Sequence, residues 1–268
     1  MWLKETFGTD KPIIAMLHLL PLPGDHKYDV AGGIDKVLKR AKSDLLALQD
    51  GGVDSVLICN EYSLPYKFNV DTCTVAAMAS IIGQLKKDIK VPFGVHVAAD
   101  ECKTYDLAVA VGASFVRGTY TGAYAGDFGI ADYKIGDLVR HKHNVGADDI
   151  RTLFILIPEA AKYLVDRDIA DLVKSNLFYG QPDALLVSGL VAGHEVDTQI
   201  MSKVKNVAED CPVFANNGVK LENVKEQLAI ADGAIVGTTF KYDGKFYNEV
   251  DPARVKAFMD LVKSFRKV

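Results

Sequence analysis

The sequence has no apolar stretch near the roughly 18 residues that a membrane-spanning helix requires. Residues Met1–Glu5 lack the basic start of a signal peptide, and no apolar core or cleavage site follows. A strong charge of either sign is also missing, with 31 basic and 35 acidic residues and a formal net charge of −4. Non-specific nucleic-acid binding needs a basic surface that displaces counterions. We therefore expect a cytoplasmic protein that has neither a membrane nor a nucleic acid as its partner.

Cysteine is scarce and scattered along the chain. The four cysteines are Cys59, Cys73, Cys102 and Cys211, and no two of them are spaced as CxxC. This spacing argues against a redox dithiol and against a zinc knuckle. Packing as small hydrophobic side chains is the favoured role. Cys59 has the best claim to another role, because it falls beside a predicted strand end.

Three catalytic signatures are absent. The sequence has no GxGxxG of dinucleotide-binding folds and no GxSxG nucleophile elbow. No lysine falls within or at the end of a predicted strand, since Lys220 and Lys241 come after the glycine turns described below. A Schiff-base aldolase needs a desolvated lysine in its active site. We therefore expect neither that mechanism nor a serine hydrolase.

The sequence does contain a regular alternation of apolar runs and helical periodicity. The predicted strands are Pro12–Leu19, Val53–Cys59, Pro92–Ala98, Ser114–Arg117, Thr152–Ile157, Asp183–Val187, Val213–Ala215 and Gly233–Val236. The predicted helices are Ile34–Gln49, Val75–Leu85, Tyr105–Val111, Ile135–Asn144, segments that start near Asp168 and Asp197, Leu221–Ile230 and Pro252–Phe265. A long glycine-rich loop is expected after the fourth strand.

These eight strand–helix units determine the predicted fold. The strands are continuous apolar runs, as in a parallel sheet that is buried on both faces. Eight units in 268 residues fit a closed barrel better than an open doubly wound sheet. No linker or shift of composition divides the chain. We therefore predict an α/β protein with a single (β/α)8 TIM barrel domain over residues 1–268.

The last two predicted strands each end in a glycine-containing turn that we expect to open a helix. Backbone N–H groups and the positive end of a helix dipole suit a phosphate. TIM barrels typically bind phosphate in the loops after strands seven and eight. A small phosphorylated metabolite is therefore the expected ligand. The predicted binding residues are Asn60, Ser188, Gly189, Asn216, Asn217, Gly218, Gly237, Thr238 and Thr239.

Titratable and charged side chains stand at or just beyond the ends of other predicted strands. The candidate catalytic residues are His18, Glu61, His96, Arg117 and Glu159. Imidazole and carboxyl groups can transfer protons near neutrality. Arg117 is expected to meet a substrate anion or one of the two glutamates. Structural roles stay open for the two histidines as core residues and for Glu159 as a loop carboxylate.

The same four histidine and glutamate side chains are candidates for a divalent-metal site. Nitrogen and oxygen ligands of this kind suit such an ion. The candidate ligands are His18, Glu61, His96 and Glu159. Nothing in their spacing requires a metal, and no other cofactor is indicated.

Several segments resemble those of a known family. Lys11–Gly24, Gly51–Asp54, Pro92–Val95, Leu185–Gly189 and Ile230–Thr239 are similar to the signature segments of the BtpA family. Asn60–Tyr66 and Ile157–Ala161 look more like its SgcQ-like branch, which is associated with sugar-utilisation gene clusters. The resemblance covers essentially the whole chain. It implies a barrel of the ribulose-phosphate-binding type.

The sequence also departs from part of the family pattern. The family takes its name from a photosynthetic member that is linked to photosystem I assembly. Where many members read Asp-x-His-x-Lys-His near the end of strand five, this chain reads Ile157-Pro158-Glu159-Ala160-Ala161. His96 stands where many members have asparagine. The photosystem role is therefore not carried over to this sequence.

Together these features lead us to expect an enzyme that acts on a phosphorylated sugar or nucleoside-like metabolite in carbohydrate metabolism. Isomerisation, epimerisation, cleavage and group transfer all fit the candidate residues. The alternative is a non-catalytic protein with a role in assembly, biogenesis or ligand sensing. A homo-oligomer also stays open, since barrels of this size often dimerise through their helices.

Overall fold

A computed structural model describes residues 2–189 and 196–266. The α-helices are α1 (Trp2–Phe7), α2 (Gly33–Asp50), α3 (Thr72–Leu85), α4 (Glu101–Val111), α5 (Ile135–Asn144), α6 (Ile169–Gly180), α7 (Thr198–Val207), α8 (Val224–Ile230) and α9 (Pro252–Phe265). The β-strands are β1 (Ile13–His18), β2 (Ser55–Cys59), β3 (Phe93–His96), β4 (Phe115–Gly118), β5 (Gly122–Gly126), β6 (Gly129–Tyr133), β7 (Arg151–Ile155), β8 (Ala161–Tyr163), β9 (Ala184–Ser188), β10 (Val213–Asn216) and β11 (Gly233–Val236). Two short 3-10 helices cover Thr238–Phe240 and Tyr242–Gly244.

Eight of these strands close into a barrel in the order β1-β11-β10-β9-β7-β4-β3-β2. Each neighbouring pair in the barrel is parallel. They are the eight strands that the sequence predicts, and helices alternate with them at the predicted places. The predicted TIM barrel is therefore confirmed, with β10 and β11 as its seventh and eighth strands.

Side chains on the barrel strands alternate between two cores. In β1, Ile13 and Leu17 pack with the surrounding helices, whereas Ile14 and Met16 join the interior of the barrel. Helix α1 closes the end at which the strands begin, and its Phe7 packs edge-on against Phe115 with ring centroids 5.6 Å apart. With that end filled, the open space lies at the carboxyl ends of the strands.

The region after β4 differs from the predicted loop. Strands β5, β6 and β8 form an antiparallel sheet in the order β6-β5-β8, which we call the cap sheet. Tyr124 in β5 pairs with Ala131 in β6 and with Tyr163 in β8. Its ring is buried, and its hydroxyl donates a hydrogen bond to the carbonyl of Leu156 at 3.0 Å. The expectation of a long glycine-rich loop was therefore wrong for much of this region, because strand pairing with β8 orders it.

The turn after β10 also differs from the prediction that it opens a helix directly. Asn217 and Gly218 have φ angles of 79° and 63°, and α8 starts only at Val224. The side chain of Asn223 closes the intervening loop, because it accepts from Lys220 N–H at 2.7 Å and donates to the Gly218 carbonyl at 3.0 Å. The N-terminus of α8 therefore lies several residues beyond this turn. Within the described part of the chain, no helix is both long and apolar enough to cross a membrane.

Candidate active site at the barrel mouth

A cavity of about 1150 Å³ lies at the carboxyl ends of the barrel strands. One side of it is covered by residues of the cap sheet, among them Tyr124, Ala131 and Tyr133. Twelve of the predicted site residues line this cavity: His18, Glu61, His96, Arg117, Glu159, Ser188, Asn216, Asn217, Gly218, Gly237, Thr238 and Thr239. The barrel therefore brings residues from most of its strand ends to one space.

Arg117 occupies the centre of this group. Its Nη2 lies 3.1 Å from His96 Nδ1 and 3.5 Å from Glu61 Oε2, and its Nη1 donates to Asn216 Oδ1 at 3.3 Å. The side chain is 8% exposed, and among the described residues its Nε has no hydrogen-bond partner. A buried cation is costly unless an anion compensates it. One carboxylate at 3.5 Å compensates it weakly, so the guanidinium is suited to a second, incoming anion.

His96 is held as a neutral imidazole. Burial lowers the pKa of His96 well below its ordinary value, and the nearby Arg117 lowers it further. Because Arg117 is a donor only, His96 Nδ1 accepts this hydrogen bond, and the ring proton is assigned to Nε2. His96 therefore lines the cavity as a neutral side chain.

His18 at the end of β1 is also neutral, for a similar reason. Burial lowers the pKa of His18 well below its ordinary value, and the cations Lys241, Arg117 and Arg40 add to the effect. Its ring packs against Tyr62 and Phe246 at centroid distances of 5.5 and 5.4 Å. Neither ring nitrogen has a hydrogen-bond partner among the described residues. A core histidine bonded to a carbonyl, the structural alternative, is therefore not what the fold contains.

Glu159 lies in the loop after β7 and is partly enclosed. Burial raises the pKa of its carboxyl group, and the neighbouring Glu61 contributes, while the hydrogen bond from Asn217 and the charge of Arg117 oppose the shift. Asn217 Nδ2 donates to Glu159 Oε1, and Asn217 Oδ1 accepts from Gly189 N–H at 2.9 Å. The side chain of Asn217 and the N–H of Gly189 are thus already engaged with protein groups, so their predicted contact with phosphate would require these bonds to open.

Asn60 and Ser188 have local partners as well. Asn60 Oδ1 accepts from Ala98 N–H at 2.7 Å, and this side chain lines a smaller neighbouring pocket instead of the main cavity. Ser188 Oγ accepts from Asn216 Nδ2 at 2.8 Å. The amide of Asn216 therefore connects Ser188 to Arg117, which positions the guanidinium.

The two glycine turns after β10 and β11 lie side by side. Thr239 Oγ1 donates to the Val219 carbonyl at 2.6 Å, which joins one turn to the other. Arg254 of α9 donates from Nε to the Thr239 carbonyl at 2.8 Å, and both Arg254 and Lys220 line the cavity beside the turns. The sequence prediction missed Arg254, because α9 carries no strand-end signal. A proline and an acidic cap mark only where that helix begins.

Glu101 is a second residue that sequence reasoning missed. It starts α4, is 5% exposed and lines the cavity, and its carboxyl oxygen accepts from Thr119 N–H at 3.0 Å. Burial raises the pKa of Glu101 to about 8. The only sequence signal was the Asp100-Glu101 pair, two and three residues beyond the predicted strand Pro92–Ala98, which also fits an ordinary helix start.

The four candidate metal ligands do not form a ligand set. In the described part of the chain, no group of three or more histidine, cysteine, aspartate or glutamate side chains is arranged to hold a metal ion. Glu61 and His96 instead contact Arg117, and a cation at that position opposes a divalent ion. The arrangement fits binding of an anion better than binding of a metal.

Lys241 lies behind His18 and outside the cavity lining. It is 1% exposed, and its Nζ donates to Tyr62 Oη at 2.7 Å and to the Asn248 carbonyl at 3.2 Å. Burial lowers the pKa of Lys241 to about 8. Its hydrogen bond to Tyr62 supports one of the two rings that pack against His18.

Comparisons with known proteins agree with the fold and the resemblance noted above. The putative sgc region protein SgcQ of Escherichia coli is 53% identical over 266 residues, which cover 99% of each chain. The photosystem I biogenesis protein BtpA of Synechocystis is 30% identical over 263 residues, with 97% of this chain and 91% of that protein covered. N-(5′-phosphoribosyl)anthranilate isomerase from Pyrococcus furiosus superposes with a TM-score of 0.57 over 95% of this chain and 99% of that one, at 13% identity, so this likeness concerns the fold alone. The BtpA family profile matches residues 9–264, and the chain belongs to the BtpA family.

Proposed function

We propose that this protein is an enzyme that acts on a phosphorylated sugar or a nucleoside-like phosphorylated metabolite. The observation that carries the proposal is the buried Arg117 beside the cavity, with one carboxylate at 3.5 Å and an Nε that has no partner among the described residues. Such a guanidinium stabilises negative charge that develops on a substrate oxygen. The reaction class is isomerisation, epimerisation, cleavage or group transfer at a sugar carbon.

The binding site for the substrate's phosphate group is assigned to the paired turns after β10 and β11. Gly218, Gly237 and Thr238 line the cavity there, and the cations Lys220 and Arg254 stand beside them. Backbone N–H groups together with nearby cations bind a phosphate well. The structural neighbour from Pyrococcus furiosus is an N-(5′-phosphoribosyl)anthranilate isomerase, a name that includes a phosphoribosyl group. That name supports the choice of a phosphorylated ligand but does not identify it.

Proton transfer is assigned to the groups around Arg117. The neutral ring of His18 has one unprotonated nitrogen, which has no hydrogen-bond partner among the described residues, and this nitrogen is assigned to accept a proton from a substrate carbon. The electrons of that bond move onto the adjacent carbonyl oxygen, and Arg117 balances the charge that forms. Glu159 lines the same cavity, and its carboxyl group, whose pKa is raised by burial, is assigned the return of a proton to the substrate. Each proton removed is thus matched by one restored.

A thermal-shift screen with sugar phosphates and nucleoside monophosphates tests the ligand class. A ligand at about one hundred times its dissociation constant adds roughly 2.7 kcal/mol to the free energy of unfolding. We expect at least one phosphorylated compound to raise the melting temperature, while its unphosphorylated counterpart does not. If no phosphorylated compound does so, the proposed substrate class is wrong.

Gly237→Asp tests the position of the phosphate-binding site. A Cβ at Gly237 would lie 3.4 Å from His18 and Met16, which is ordinary van der Waals contact, so there is room for the first atom of a side chain. The added carboxylate would repel a phosphate, and we expect binding to be lost while the fold persists. Gly83→Asp on the exposed face of α3 is the matched control, because a Cβ there meets nothing within 4 Å. Unchanged binding by Gly237→Asp would place the phosphate elsewhere.

The non-catalytic alternative has one specific support, the name of the Synechocystis relative as a photosystem I biogenesis protein. A protein with that role would bind its ligand or partner without converting it. Incubation of the stabilising compound with the protein, followed by mass spectrometry of the products, separates the two functions. Turnover that disappears in His18→Gln, with ligand binding retained, supports the enzyme.

A further inference from the structure

The cavity is larger than a sugar phosphate requires. Its volume of about 1150 Å³ exceeds the roughly 300–1,000 Å³ that is typical of pockets for drug-sized ligands. The turns after β10 and β11 form one wall of this space, and Arg117 with its hydrogen-bond partners lies at its centre. The wall beneath the cap sheet has no part in the proposed proton transfer.

The strand order places this second wall opposite the phosphate turns. In the barrel, β3 lies four strands from β10, and β4 lies four strands from β11, in either direction around the ring. Glu101 follows β3 and Thr119 follows β4, and both line the cavity. A ligand whose phosphate is held after β10 and β11 must therefore extend across the mouth to reach them.

Aromatic rings line this opposite wall. Tyr66, in the loop after β2, and Phe128, in the turn between β5 and β6, meet with ring centroids 5.3 Å apart and an interplanar angle of 53°. Both line the cavity, as do Tyr133 of the cap sheet and Phe68, which is 38% exposed. Apolar ring surface left partly exposed in a cavity is suited to contact with another ring.

Polar groups stand at the base of the aromatic wall. Glu101 accepts a hydrogen bond from Thr119 N–H at 3.0 Å, and its carboxyl group is close enough to Tyr133 to affect the pKa of that hydroxyl. Burial keeps the Glu101 carboxyl protonated near neutrality. The wall therefore offers aromatic faces for stacking and one hydrogen-bonding edge, which together match a planar ring that contains heteroatoms.

We infer that the space beneath the cap sheet is a second subsite, which takes a planar heteroaromatic ring joined to the phosphorylated sugar. This inference rests on the proposed function and narrows it from sugar phosphates in general to nucleoside monophosphate-like substrates. The phosphate occupies the turns after β10 and β11, the sugar lies at Arg117, and the ring packs against the surface that Tyr66, Phe128 and Tyr133 present to the cavity.

Isothermal titration with ribose 5-phosphate and with purine and pyrimidine ribonucleoside 5′-monophosphates tests the subsite. Stacking of one base on aromatic side chains is worth roughly tenfold or more in affinity. We expect at least one nucleoside monophosphate to bind about tenfold or more tightly than ribose 5-phosphate. Equal affinities for all of these compounds would overturn the subsite and leave the proposed function intact. Binding of none of them would overturn the subsite alone if another sugar phosphate stabilises the protein in the thermal-shift screen, and would remove the proposed function as well if no sugar phosphate does.

Phe128→Ala locates the ring. We expect it to bring the affinity of the best nucleoside monophosphate down to that of ribose 5-phosphate, with ribose 5-phosphate binding unchanged. Phe178→Ala is the matched control, since Phe178 is 75% exposed on α6 and does not line the cavity. Phe128→Leu, which keeps apolar bulk in the turn, guards against loss of the fold. A nucleoside monophosphate that binds both Phe128 variants as tightly as the unchanged protein would contradict the assignment.

Discussion

Arg117 determines the electrostatics of the candidate site at the scale of single residues. Its positive charge helps to keep His18 and His96 neutral and opposes the raised pKa of Glu159. The same side chain contacts Glu61 at 3.5 Å, so neither charge is fully compensated. A site with one incompletely paired cation and two neutral imidazoles is ready to bind an anion and to exchange protons with it.

Glu101 gives the clearest pH prediction. Its pKa rises from 4.5 to about 8 on folding, so the folded protein holds this proton more tightly than the unfolded chain does. The resulting stability is fully present below pH 4.5 and is lost as the pH rises towards 8. One pKa unit corresponds to about 1.4 kcal/mol, so the shift from 4.5 to about 8 corresponds to a loss of at most roughly 5 kcal/mol. Glu101→Gln, which is neutral throughout, should not show it.

Urea unfolding at a series of pH values between 4.5 and 8.5 measures this effect. The free energy of unfolding of Glu101→Gln should increase relative to that of the unchanged protein as the pH rises. Glu226→Gln, an exposed glutamate on α8, serves as the control and should follow the unchanged protein. Parallel curves for Glu101→Gln and the unchanged protein would show that the buried carboxyl is not protonated.

The sequence indicated the site residues that stand at the ends of barrel strands, because the strand pattern predicts where those ends are. His18, His96 and Arg117 are the last or nearly last residues of their strands, and strand ends meet at one face of a barrel. Glu101, Tyr66 and Phe128 could not be found in this way. They come from a helix start and from loops, and the path of a loop depends on contacts with distant parts of the chain.

The cap sheet and helix α1 are the elements that sequence patterns did not predict. Residues Gly122–Gly126 read GAYAG, which has few β-branched or large side chains and therefore a weak strand propensity. Their order comes from pairing with Ala161–Tyr163, more than thirty residues further along the chain. The barrel strands and the helices between them, by contrast, have a local hydrophobic periodicity that indicates whether a segment is a strand or a helix. Local patterning therefore suffices for the barrel but not for its cap.

Gly126 tests whether the cap sheet forms independently of the barrel. A Cβ at this position would lie 2.1 Å from the Ala160 carbonyl oxygen and 2.8 Å from Ala161 Cα, so β5 and β8 approach too closely for any side chain. We expect Gly126→Val to separate β8 from β5 and to raise amide hydrogen exchange in Gly122–Gly126 and Ala161–Tyr163. Exchange in the barrel strands should stay unchanged, because their pairs do not include the cap.

Gly136→Ala is the control for this experiment. Its Cβ would meet only the flexible end of the Arg140 side chain, at 3.3 Å, so α5 accepts it. The same preparations should also show weaker binding of the best nucleoside monophosphate to Gly126→Val, since Phe128 loses its support. Uniformly faster exchange across the whole chain would instead mean that cap and barrel unfold as one unit.

At the scale of the whole molecule, the closed sheet joins the beginning of the chain to its end. β1 pairs with β2 on one side and with β11 on the other, which completes the ring. Asp54, just before β2, accepts from Ile13 N–H at 2.8 Å and forms a two-point ion pair with Arg266 at 2.6 and 3.0 Å. Both side chains are nearly buried, with 11% and 12% exposure. This pair fixes the end of α9 against the first strand.

Arg266→Ala should therefore weaken the whole barrel. Removing a charged hydrogen-bond partner from a nearly buried carboxylate costs about 2 kcal/mol, and we expect that decrease in the free energy of unfolding by urea. Lys256→Ala, which removes an exposed ion pair with Asp260, should change it by less than about 0.5 kcal/mol. Fluorescence of Trp2, the single tryptophan, reports on helix α1, while circular dichroism reports on the whole molecule. Because α1 closes one end of the barrel, the unfolding transitions measured by both signals should move together to lower urea concentration in Arg266→Ala. A separate fluorescence transition at lower urea concentration would mean that α1 detaches before the barrel unfolds.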